Sequence, residues 1–177
     1  MRHTAYTELF RDLAKRHVDI RHEQGGGTRF VRIIISSDPV QRQLDLSEFQ
    51  AGLKNRIKLT GGQACLVLEN YETDFIDRDG DYTGRVQRGA FLVLKLTKQN
   101  DYDDRDEAIE ACETICEEIM GAVIQHIRGL GNRITTADLL GEAVGPVGDN
   151  FYGCRFSFSF MSHATEDLFF KPEKFTA

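Results

Sequence analysis

The sequence contains no tryptophan, only three prolines and only four cysteines in 177 residues. No apolar run approaches the roughly 20 residues that a helix needs to span a bilayer. The opening stretch Met1-Arg2-His3-Thr4-Ala5-Tyr6 lacks the apolar segment of a secretory signal, so a soluble chain made in the cytosol is expected. Cys65, Cys112, Cys116 and Cys154 form no Cys-x-x-Cys pair. They are expected as small buried hydrophobes in a reducing compartment.

Motifs of catalysis are also missing. The histidines His3, His17, His22, His126 and His163 show neither His-x-x-x-His nor Glu-x-x-His spacing on a helix, so zinc and di-iron templates fail. There is no Gly-Lys-Ser/Thr and no Gly-x-Ser-x-Gly elbow. Gly25-Gly26-Gly27 precedes a strand-like run, whereas phosphate-cradling loops follow a strand and open a helix. The expectation is a protein with no catalytic residue, no metal and no cofactor, hence not an enzyme.

What is present describes a globular chain. Apolar residues make up 41% and charged residues 28%, and the length suits one domain that buries its core without staples. The formal net charge of −6 argues against a protein that mainly grips nucleic acid, because counterion release needs a basic face.

Periodicity locates the elements. Tyr6, Leu9, Phe10, Leu13 and His17 fall at helical spacing within residues 4–18. Residues 30–36 are a β-branched strand, and residues 46–57 a shorter helix with Ser47 as N-cap. Strands are expected over 64–71 and 89–98, separated by a polar stretch read as a long hairpin loop, with extension of the strands into it as the alternative. Ala108, Ile109, Cys112, Ile115, Cys116, Ile119, Met120, Val123 and Ile127 form one stripe along a long helix over 104–127, with acids crowding its start as the helix dipole favours. Two further strands are expected over 138–144 and 153–161. In the second, Cys154, Phe156, Phe158 and Phe160 alternate with Arg155, Ser157 and Ser159, the pattern of a sheet covered on one face. The order α-β-α-β-β-α-β-β, with strands clustered in hairpins, predicts an α+β fold: a mostly antiparallel sheet with helices on one face. Residues 1–162 form the domain, and residues 163–177 a C-terminal tail or arm.

The candidate functional residues are contact residues. Asp77-Arg78-Asp79-Gly80-Asp81 fails the EF-hand spacing, since Tyr82 and Arg88 stand where glycine and glutamate are required, and it reads as an acidic hairpin tip or an ion site of another kind. Leu168, Phe169, Phe170 and Phe175 are large apolar groups in the tail. They dock either on the chain's own core or on a neighbouring subunit.

Three stretches together resemble the phage tail terminator and tail-completion (head–tail joining) proteins. These are the amphipathic helix over 6–18, the strand over 89–96 leading through an acidic turn into the long helix, and Gly145-Pro146-Val147 followed by Tyr152-Gly153-Cys154-Arg155-Phe156-Ser157-Phe158. The short helix over 46–57 and the phenylalanine-rich tail depart from the smaller members. The resemblance implies a homo-oligomeric ring, commonly a hexamer, assembled into a virion or related contractile particle against tail-tube or neck proteins. Terminator, joining and neck roles all fit. Asp77, Asp79 and Asp81 in the hairpin, Asp149 and Asn150 in the last turn, and Phe169, Phe170 and Phe175 in the tail are then the expected interface residues. A non-enzymatic adaptor that binds a partner or small ligand through the polar sheet face, Arg155, Ser157 and Ser159, or through the hairpin is the alternative.

Overall fold

The computed structural model describes residues 1–24, 27–34, 47, 57, 59, 62–78, 82–148 and 150–175. Its elements are α1 (His3–Arg16), β1 (Phe30–Ile33), β2 (Ala64–Glu69), β3 (Glu72–Arg78), β4 (Tyr82–Leu96), α2 (Tyr102–Gly129), β5 (Arg133–Ile134), β6 (Leu140–Val147) and β7 (Phe151–His163). The protein has an α+β fold. The expected helix over 46–57 lies outside the described residues, apart from Ser47 and Ile57.

The sheet is built on one long antiparallel ladder. β4 and β7 pair over 13 positions, from Gly84↔His163 to Leu96↔Phe151, a length of about 40 Å at strand rise. On the far side of β4, β2 pairs with its second half and β3 with its first. On the far side of β7, β6 pairs with its first half and β5 with its end. β1 joins β2 in parallel, the one parallel pair among the described strands.

Both helices pack on the face that carries the phenylalanines. α1 buries Tyr6, Phe10, Leu13 and Ala14, and α2 buries the expected stripe except Ile109. They enclose Leu66, Leu68, Phe91, Val93, Cys154, Phe158 and Phe160 in one core. Phe10 stacks near Phe158 at 6.0 Å and tilts onto Phe91 at 5.2 Å between ring centres. α2 begins where Asp101 caps it, its side chain accepting the Asp104 N–H at 3.1 Å. All four cysteines are free and buried. Burial pushes the thiols of Cys65 and Cys112 up to about 12.

Close approach sets the identity of two glycines. A Cβ on Gly153 would lie 2.0 Å from the Val93 carbonyl oxygen, and one on Gly89 would lie 2.6 Å from the Tyr6 hydroxyl. Any side chain at either place would push β4 and β7 apart or dislodge Tyr6 from the core.

Three expectations need correction. The polar stretch takes the alternative to a hairpin loop and is mostly strand, since Glu72–Arg78 pairs in unbroken register with 82–88. The strand expected over 89–98 is accordingly the second half of a 15-residue β4. Charged strands escape an alternation test because edge strands are expected to carry charge. β5 is only two residues long and gives no pattern to read. The sheet is also not bare on its second face. There Ile33, Ile57, Cys65, Val67, Leu92, Leu94 and Phe151 form a second apolar cluster. The reason is visible in β2, Ala-Cys-Leu-Val-Leu, which is buried at every one of those positions and so must be covered on both sides. Among the described residues no helix is long and apolar enough to cross a membrane.

Candidate interface site

The ends of the β4–β7 ladder carry the candidate contact residues, and they carry different ones. At the Leu96 end lies the turn into β7. Asn150 is half-buried there, and its carbonyl accepts both the backbone N–H and the hydroxyl of Thr97 at 3.0 Å each. Asp149 lies outside the described residues. At the Gly84 end the β3–β4 hairpin and the segment after β7 come together. The Ala164 N–H donates to the Thr83 carbonyl at 3.0 Å, and the Thr83 N–H donates to the Thr165 hydroxyl at 3.0 Å. Asp77 stands near the hairpin tip in register with Thr83, while Asp79 and Asp81 are outside the described residues. Asp74 pairs across the hairpin with Arg88.

The segment after β7 is pinned at its base and open beyond. Ala164 is buried. Asp167 accepts from the Arg85 guanidinium at 2.7 Å and lies 3.6 Å from Arg2, and these cations hold its carboxyl below the ordinary carboxylate range. Past that clamp, Leu168, Phe169, Phe170 and Phe175 are 54%, 62%, 75% and 68% exposed. Two turns of 3-10 helix, Glu166–Leu168 and Pro172–Lys174, fold the segment so that Phe170 and Phe175 meet with ring centres 5.3 Å apart. The structure therefore gathers the hairpin and the tail phenylalanines at one end of the molecule and leaves Asn150 at the other.

On the polar face that the alternation marks, Arg155 has partners that no local pattern shows. Arg155 reaches from β7 to Glu69 on β2 through two hydrogen bonds of 2.7 and 2.9 Å, and to Glu142 on β6 at 3.0 Å. Both carboxylates push its guanidinium further from deprotonation. The alternation of Arg155 with apolar neighbours shows that it faces away from the helices, but its partners lie 86 and 13 residues away and are unreadable locally. Ser157 and Ser159 beside it are half-buried on the same face.

His17, Asp19 and Glu118 place one ligand-type atom each within 4.8 Å of one another. Their hydrogen bonds give that cluster a structural role. His17 Nδ1 accepts the Asp19 backbone N–H at 3.2 Å, so Nε2 carries the proton and donates to the Glu118 carboxylate at 2.9 Å. Both ring nitrogens are engaged in tying the end of α1 to α2, leaving no lone pair for an ion in this tautomer.

A depression of about 600 Å³ opens on the outer flank of β7, at the end of α2. Leu130, Asn132, Arg133, Met161, Ser162 and His163 line it. Leu130 is 55% exposed, and the Ser162 hydroxyl is buried without a hydrogen-bond partner. No protein-family model and no curated protein matches the chain.

Proposed function

We propose that the chain is a structural, non-enzymatic subunit that assembles into a homo-oligomeric ring at the end of a phage tail tube or related contractile particle, terminating the tube or joining it to the head. The observation that carries this reading is the exposed cluster Leu168, Phe169, Phe170 and Phe175 held on a pinned base. Large aromatic groups in water mark a contact surface, since aromatics are enriched in the cores of protein interfaces. The separation of that surface from the Asn150 turn by the length of the β4–β7 ladder further supports a subunit that touches different neighbours at its two ends. Such a protein is made in the cytoplasm and ends in the particle, with tail-tube or neck proteins as partners.

Light scattering on the purified protein across a concentration series tests the reading. The expected result is a discrete ring, or a monomer that closes into one when tail-tube protein is added. A monomer at every concentration, indifferent to tube protein, overturns it. The depression beside Arg133 favours a second reading, a non-enzymatic adaptor that binds a ligand or partner there, and that reading takes precedence on the same negative result.

A further inference from the structure

The exposed arm and the depression beside it lie on opposite flanks of the end of β7. Ser162 pairs with Arg85 of β4 on one side, and the arm leans that way through the Asp167–Arg85 contact. Met161 pairs with Arg133 of β5 on the other side, where the depression opens. The base of the arm thus lies on the β4 flank, and no arm residue lines the depression of its own chain.

The two features match in chemistry. The arm offers Phe169, Phe170 and Phe175, which together expose roughly 300–400 Å² of apolar surface. Between Phe170 and Phe175 stands Glu173, exposed and with no ion-pair partner among the described residues. The depression offers apolar Leu130 and Met161, with space for more than one aromatic ring. At its rim Arg133 is exposed and also has no ion-pair partner among the described residues. The orphaned Ser162 hydroxyl lies among the same lining residues.

We propose that the aromatic arm of one copy, residues 168–175, seats in the Leu130–Met161 depression of the next copy, with Glu173 opposite Arg133. This inference rests on the ring reading and gives it a contact. Arm and depression are different surfaces, so the interface is head-to-tail, the kind that closes into a ring when the rotation between copies allows. Insertion brings the arm's phenylalanines against Leu130 and Met161 and pairs both free charges.

Complementary variants test the contact. Phe170→Ser with Phe175→Ser removes the arm's anchors, and Leu130→Glu blocks the depression; all three positions are exposed, so circular dichroism should match the unsubstituted protein. Each variant alone should be monomeric by light scattering, with association weakened at least about tenfold. Mixed at equal amounts they should give a complex of two chains and no larger, because each retains one competent face. Arg133→Glu and Glu173→Arg should each weaken assembly, and the chain carrying both should recover it. If the unsubstituted protein forms a ring and the arm and depression variants form it equally well, this contact is wrong and the ring reading stands. A mixture that stays monomeric also overturns the contact. If the unsubstituted protein is monomeric throughout, with and without tube protein, both readings fall together.

Discussion

Arg155 ties three strands together from the sheet face opposite the helices. Its partner Glu69 has a side chain only 13% exposed, whereas Glu142 is 50% exposed. Removing the guanidinium strands a carboxylate that water reaches poorly. Arg155→Ala should therefore lower unfolding free energy by about 2 kcal/mol, and Glu142→Ala by less than about 1 kcal/mol, as for exposed pairs. Urea unfolding midpoints of the two variants check the ranking. Equal midpoints would mean that water screens both partners alike.

His22 gives the molecule a pH dependence. Its ring is buried against Phe30, and Nδ1 accepts the Arg29 N–H at 3.2 Å. Burial lowers its pKa below the ordinary 6.5. Glu23 pulls the other way, while Lys15, Arg11 and Arg29 lower it further. The folded value is the depressed one, so the unfolded chain takes up the proton first. The neutral ring's contribution is complete above pH 6.5 and is lost as pH falls through the folded value. Stability should thus drop more steeply as pH falls below 6.5 in the native sequence than in His22→Gln, by thermal melting at matched ionic strength. Parallel curves would place the titration elsewhere.

Among elements, the β3–β4 hairpin is the one that stability needs least at its tip. Residues 72–76 are exposed throughout, including Phe75 and Ile76, so the outer strand buries little. β4 by contrast is held by β7 from Gly84 to Leu96. Deleting residues 77–81 should leave the circular dichroism spectrum and melting temperature nearly unchanged. If the hairpin serves as a contact loop, the same deletion should abolish addition to tail-tube protein in a sedimentation assay. Normal addition would exclude the hairpin from the contact. The helices behave differently, because their stripes are the core itself. α2 was legible residue by residue, since one 28-residue element commits a continuous apolar face to burial and its period repeats many times. The hairpin was not legible, because an edge strand with charges on both faces follows no period.

At the scale of the whole molecule, the β4–β7 ladder acts as a spine with distinct ends, one bearing the arm and hairpin and the other the Asn150 turn. Sequence alone determined the fold class, both described helices, the helix-facing side of β7 and the burial of the cysteines. Each of those follows from local periodicity, in which apolar groups recur every 3.6 or every 2 residues and must leave water together. The phenylalanines of the arm were also marked by composition, but their exposure was not. Only the tertiary structure decided that, because exposure depends on whether another part of the chain covers them. It likewise decided the Arg155–Glu69–Glu142 tie, the second apolar cluster and the depression between Leu130 and Met161. These join residues far apart in the chain, and strand pairing over such separations is set by the global packing of the sheet rather than by any window of neighbouring residues.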